Sequence, residues 1–216
     1  MPKNLIIIGA SGHGKVVADI ARQMMENGKR KYTNICFLDD DKTKSACGTY
    51  PIIGTTENIE QYLGMDCFVA IGDANIRQKM AKRLESFRAD VPVLVHPRAI
   101  IGENVSIGIG TVLAGGTVVN SGSTIGKNCI INTGATVDHD CQIDDYVHIA
   151  PGTHICGGVH IGECTWIGAG TTVVQELSVC SNCMIGAGSV VVRDVKRFGV
   201  YFGNPARRQS ATIMED

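Results

Sequence analysis

Residues 125–172 read IGKNCI-INTGAT-VDHDCQ-IDDYVH-IAPGTH-ICGGVH-IGECTW-IGAGTT, eight consecutive hexads that each open on Ile or Val. The register runs on in both directions. Stepping by six from Val95 to Val191 visits seventeen positions, and every one is Val, Ile or Leu. Four residues after each of these the side chain is small or apolar, as at Thr111, Ala135, Cys141 and Ser189. The residue directly after the repeat position is often Gly, as at Gly102, Gly126, Gly162 and Gly168. Strand alternation explains the apolar pair, because two inward residues flank one outward residue. A turn that tolerates Gly is expected to follow. Each hexad is then a short parallel strand plus a corner, and stacked hexads share one continuous core.

Composition agrees with a thin core. Hydrophobic residues make up 44% of the 216 positions but aromatics only 5%. The hexad region, residues 95–192, holds 16 of the 26 Gly and two aromatics, Tyr146 and Trp166. The net charge of −1 excludes a globally basic nucleic-acid binder. That value is an average, since the hexad region carries −5 and the rest of the chain +4. Phosphate-bearing ligands therefore stay open for the remainder. No run approaches the roughly eighteen apolar residues of a membrane span, so no membrane partner is expected. The start, MPKNLIIIGASGHGK, reads as a strand entering a glycine loop rather than a signal peptide. Nine scattered Cys, an odd number, fit reduced thiols and a cytoplasmic location better than a disulfide framework.

Residues 1–92 have a different texture. Leu5-Ile6-Ile7-Ile8 reads as a buried strand, Gly9-Ala10-Ser11-Gly12-His13-Gly14 as a glycine loop, and 15–25 as a helix. Further strands are expected at 34–38, 67–71 and 91–95, with a helix over 75–87. The alternation predicts a small parallel α/β domain, half of a Rossmann-like fold. Backbone N–H groups of a loop that opens a helix can cradle phosphate oxygens. The order Gly-x-x-Gly-x-Gly departs from the dinucleotide fingerprint, so a structural turn explains these glycines as readily. Asp39-Asp40-Asp41 ends the second strand, where acids can meet a base or ribose or form a solvated loop.

The hexads resemble the left-handed parallel β-helix of the hexapeptide-repeat acyltransferases. That resemblance implies three hexads, eighteen residues, per coil and an all-β domain over residues 93–195 after the α/β domain. Residues 196–216 would form a turn, Gly203-Asn204-Pro205-Ala206, and a short basic tail. Two segments narrow the likeness: Ile131-Asn132-Thr133-Gly134-Ala135 through Val137-Asp138-His139-Asp140-Cys141, and Tyr146-Val147-His148-Ile149-Ala150-Pro151-Gly152. With GASGHG, FLDD, Ala70-Ile71-Gly72-Asp73 and GNPA, the chain resembles the sugar acetyltransferases related to sialic acid O-acetyltransferase. Among these it is most similar to the UDP-4-amino-sugar N-acetyltransferases of bacterial glycan (bacillosamine) synthesis.

The resemblance implies acetyl-CoA as co-substrate, a nucleotide sugar as acceptor, a homotrimer and no metal. It makes His139 the general base, with Asp140 beside it where the relative has the longer Glu. It puts His148 near the acetyl donor, the Gly157 amide on the donor carbonyl, and Asn132 near the base or the acceptor region. Nucleotide contacts would fall on Gly9, Ser11, Gly12, His13, Gly14, Asp39, Asp40, Gly72 and Asp73. Coil arithmetic adds independent support, because His139 plus eighteen is Gly157 and the two would share a corner one coil apart.

The implied chemistry is spare. An amine must lose a proton to attack a thioester, and His titrates in the right range. The oxyanion needs a positioned N–H. A thiolate leaves readily, so direct transfer is expected without a covalent enzyme intermediate. O-acetylation of sialic acid is the alternative. A three-His metal site would need His148, His154 and His160 together, yet successive hexads face different directions. Cys180-x-x-Cys183 has no second Cys pair to complete a zinc site. Cys129 and Cys141 occupy inward positions unsuited to a nucleophile.

Overall fold

The computed structural model describes residues 3–26 and 32–209. The chain opens with β1 (Lys3–Ile8), α1 (Gly12–Glu26) and β2 (Tyr32–Leu38). A hairpin of β3 (Ala46–Cys47) and β4 (Tyr50–Gly54) follows, then β5 (Asp66–Val69) and α2 (Ala74–Ser86). The sheet order is β3-β4-β2-β1-β5, parallel except for the β3–β4 pair. The unbroken apolar run of β1 is buried because both sheet faces are covered. Leu5, Ile7 and Phe37 pack with Val17, Ile20 and Ala21 of α1, while Ile6, Ile8 and Val69 pack with Leu84 of α2.

The hexads wind into seventeen two- or three-residue strands on three parallel faces, the left-handed β-helix expected. Residue i pairs with i+18 throughout, as in Thr136↔His154 and His148↔Trp166. The first face carries Leu94–Val95, Val112–Leu113, Ile130–Ile131, His148–Ile149, Trp166–Ile167 and Cys183–Ile185. Thr136–Val137 and His154–Ile155 lie on the second face, and Gln142–Ile143 and His160–Ile161 on the third. Inward Val, Ile and Leu residues form one column from Leu113 to Val191. On the first face the outward residues Leu94, Val112 and Ile130 are also buried, in the same cluster as α1. The α/β domain is thus docked on that face through α1.

Several sequence expectations shift. Residues 94–95 do not join the α/β sheet; they pair with Val112–Leu113 as the first rung of the coil. The β3–β4 hairpin takes up the outer edge instead, and its short strands with Pro51 leave no alternation to read. Helix α1 starts at Gly12, so His13 and Gly14 belong to its first turn rather than to a loop. The Gly203–Ala206 turn links the paired strands Gly199–Phe202 and Arg207–Arg208, and residues 210–216 of the expected tail lie outside the described residues.

The corner glycines also divide into two kinds. The left-handed backbone sits at the fourth hexad position, at Asn128, Gly134, Asp140, Tyr146 and Gly152, with φ between 52° and 66°. Gly after the repeat residue answers a different need. A Cβ at Gly168 would stand 2.6 Å from the Ala187 N of the next coil, and one at Gly108 2.6 Å from the Gly126 carbonyl carbon. These glycines let coils approach, rather than make the turn. Inward Thr, Ser and Cys then stitch the corners: Thr111 Oγ1 donates to Gly126 O at 2.7 Å, Ser123 Oγ to Asp138 O at 2.6 Å, and Cys141 Sγ to Cys156 O at 3.1 Å.

Candidate active site

His139 and Asp140 form the corner between the second and third faces, both exposed. Asp140 holds φ 56°, a conformation that Asp tolerates better than most residues. Its carboxylate accepts a hydrogen bond from His139 Nδ1 at 2.8 Å. That bond, and secondarily the charge of Asp138, raise the His139 pKa above its ordinary value of 6.5. With Nδ1–H committed, Nε2 is the nitrogen left to take a proton. A glycine on each side makes room for the pair. One coil up, a Cβ at Gly157 would lie 2.6 Å from His139 Nε2. One coil down, a Cβ at Gly122 would lie 2.5 Å from Asp140 Oδ1. The Gly157 N–H takes no part in the ladder, whose bonds there run from Cys156 N–H to Val173 O and from Gly158 N–H to His139 O.

The second cluster crowns the α/β sheet, where the carboxyl ends of β1, β2 and β5 converge. Gly9 has φ 102° and packs against Ala70 and Ile71. Ser11 and Gly12 are exposed at the start of α1, whose first N–H groups have no intrahelical partner. Gly14 is a correction: it is buried, and a Cβ there would overlap Gly9 O at 2.2 Å, so its role is helix-to-strand packing. The carboxylates have structural duties. Asp39 accepts from Ala10 N at 2.6 Å, Asp40 from Thr56 N at 2.8 Å, and Asp73 caps α2 by accepting from Ile76 N at 2.9 Å.

Between that crest and the coil, His148 stacks on Trp166 with centroids 5.4 Å apart and planes 2° from parallel. Asn132 Nδ2 lies 3.3 Å from His148 Nε2, and the His13 ring is 6.4 Å from that of His148. Burial, then the Arg77 charge, push His148 down to about 3 and His13 down to about 4, so both are neutral at pH 7. His13 Nε2 is buried with no hydrogen-bond partner among the described residues. A cavity of about 440 Å³ opens here, lined among others by Gly72, Asp73, Asn75, His148, Trp166 and Met184.

The structure therefore brings His139, Asp140 and Gly157 together, and separately gathers Gly9, Ser11, Gly12, His13, Gly72, Asn132 and His148. It does not join His148 to Gly157 within one chain, because His148 is outward on the first face and Gly157 sits at the opposite corner. His148, His154 and His160 lie on three different faces, as expected. Two residues went unread. Arg77 is 1% exposed and donates to Ile71 O, Gly72 O, Asn128 O and Tyr146 O. Its signal was an Arg on the stripe that continues through Ala81 and Leu84, the core-facing side of α2. Trp166 was findable by adding eighteen to His148.

Comparison with known proteins bears on both clusters. Residues 4–84 match the PglD N-terminal domain, and residues 122–157 match the bacterial transferase hexapeptide repeat. The acetyltransferase domain of PglB from Neisseria gonorrhoeae FA1090 is 40% identical, with a TM-score of 0.91, over 96% of this chain and 100% of that one. The chain belongs to the hexapeptide-repeat sugar acetyltransferases. A second structure of the PglB domain holds acetyl coenzyme A. Another member of this acetyltransferase family, PerB from Caulobacter crescentus, was solved with CoA and GDP-perosamine; it is 32% identical, with a TM-score of 0.84, over 96% of this chain and 97% of that one. The UDP-N-acetylbacillosamine N-acetyltransferase of Bacillus subtilis (strain 168) is 34% identical over 116 residues. That match spans about half of each chain, 51% of both.

Proposed function

We propose that the protein transfers an acetyl group from acetyl-CoA to the 4-amino group of a nucleotide-linked amino-deoxy sugar, for bacterial glycan synthesis. The observation that carries this reading is the His139–Asp140 pair set against Gly157. The sugar amine gives a proton to His139 Nε2 as its nitrogen attacks the thioester carbonyl carbon. Asp140 holds the ring and favours the imidazolium that forms. The carbonyl oxygen becomes an oxyanion within reach of the Gly157 N–H. Collapse forms the amide, breaks the carbon–sulfur bond and releases the CoA thiolate, which is protonated. The nucleotide would rest on the crest formed by Gly9, Ser11, Gly12, His13, Gly72 and Asp73, with the α1 N-terminus toward its phosphates. Nine free thiols accord with a reducing compartment such as the cytoplasm.

The proposal includes a homotrimer. In a three-sided coil the His139 corner lies opposite the first face, where the α/β domain docks. Donor and acceptor then meet where a neighbour's corner faces that crest. Offering acetyl-CoA with UDP-, GDP- and dTDP-4-amino sugars and with free sialic acid, while following thiol release, tests the substrate class. Turnover of an amino sugar, lost in His139→Ala, is the expected result; turnover of sialic acid alone overturns it in favour of O-acetylation. Co-expressing His139→Ala with a glycine-loop variant, each inactive alone, should restore part of the activity if sites are shared. A fully active monomer by light scattering would sink the trimer.

A further inference from the structure

We propose that Cys180 and Cys183 form a reversible disulfide, a redox modification site at the coil corner that leads into the strand Cys183–Ile185. The sulfurs are 3.5 Å apart, so closing to a bond of about 2.05 Å needs only a small movement of the more accessible Cys180 side chain. The corner pattern says why Cys183 is open to a partner sulfur. At equivalent inward positions, Cys129 Sγ donates to Asp144 O at 3.0 Å and Cys141 Sγ to Cys156 O at 3.1 Å, each stitching one coil to the next. Beyond Cys183 no full coil follows. Its nearest carbonyl partner is Arg197 O at 3.7 Å, farther than the Cys180 sulfur. Cys183 thus keeps only a longer carbonyl contact than its counterparts, and the second thiol stands nearer to it than that carbonyl does.

The two cysteines divide the chemistry by access. Cys180 is half-buried and meets the oxidant; Cys183 is 3% exposed and resolves. With hydrogen peroxide, the Cys180 sulfur attacks one oxygen, the O–O bond breaks, water leaves and a sulfenic acid remains. The Cys183 sulfur then displaces that hydroxyl, forming the S–S bond and breaking S–O. The thiol proton leaves with the hydroxyl as a second water. Two thiols lose two electrons in all, and peroxide is reduced to two waters. Burial and the neighbouring thiol push the Cys183 thiol up, so Cys183 is not the first nucleophile.

The test treats the whole folded protein with equimolar hydrogen peroxide, then measures intact mass and the thiol count after denaturation. A loss of about 2 Da with two fewer titratable thiols, mapped to Cys180–Cys183 by fragmentation and reversed by dithiothreitol, is expected. Cys183→Ser should abolish the loss and leave a sulfenic acid on Cys180 that dimedone traps. That variant should fold, because Ser123 and Thr165 occupy the same corner position. An unchanged thiol count in the wild type, or a two-thiol loss that persists in the Cys180→Ser, Cys183→Ser double variant, overturns the proposal.

Discussion

Asp140 shows how much one backbone angle can carry. Its left-handed φ turns the carboxylate back on the preceding ring, which adjacent residues on a strand could not achieve, since they point to opposite sides. His139→Ala should lower kcat by about 100- to 10,000-fold, the usual worth of a general base. Asp140→Asn should act through titration. The base works unprotonated, so the rate falls as pH drops through the His139 pKa. That acid limb lies above 6.5 in the wild type and should move to lower pH in the variant. Because both groups are exposed, added salt should narrow the difference. A pH–rate profile that does not move would remove Asp140 from the reaction. His13 and His148 act in the opposite sense. Their folded pKa values of about 4 and about 3 lie below the ordinary 6.5. Below pH 6.5 the unfolded chain takes up protons that the fold refuses, so stability held at pH 7 is lost as pH falls toward 3. His148→Gln should lose fewer degrees of Tm than the wild type between pH 7 and pH 4.5, measured by thermal unfolding. The His139–Gly157 pairing was legible because a fixed repeat turns sequence distance into spatial distance. The clustering of His148 with His13 was not, since it depends on where the α/β domain docks.

At the scale of the element, the hexad is the unit, and its two glycine positions should respond differently to alanine. Gly134→Ala meets no atom within 4 Å and bears only the cost of a left-handed backbone, about 1 kcal/mol. Gly168→Ala drives a Cβ into the backbone of the next coil and should cost several times more, about 3 kcal/mol or above, as the coils are forced apart. Denaturant titration of the two variants checks the ordering; equal losses would mean that the coil spacing yields easily. The strands themselves were readable because burial imposes the same side-chain choice at every sixth residue. The β3–β4 hairpin was not, because its short strands lie at a sheet edge where burial dictates little. The α1 start was blurred for a related reason: Gly12 and Gly14 have low helix propensity, yet close packing against Gly9 demands glycine at 14.

Across the whole molecule, Arg77 fastens the two domains. Its guanidinium reaches two carbonyls of the β5–α2 connection and two of the coil. Arg77→Met leaves those four carbonyls without their donor, and should cost at least about 3 kcal/mol. If the α/β domain loosens first, calorimetry should show two transitions in place of one. One transition at an unchanged temperature would make the pin dispensable. The coil was legible from its period, whereas the docking was hidden because Leu94, Val112 and Ile130 read as ordinary outward strand residues until α1 is laid on them.

Trp166 is the sole Trp, 44% exposed beside the cavity and stacked on a neutral imidazole. The molecule thus carries its single indole fluorophore at the junction of its domains. Its emission colour follows local hydration, and a protonated imidazole quenches indole. A ligand that fills the 440 Å³ space should shift that emission to the blue without any added dye. Acid strong enough to charge His148 should dim it, so one optical signal distinguishes occupancy from titration.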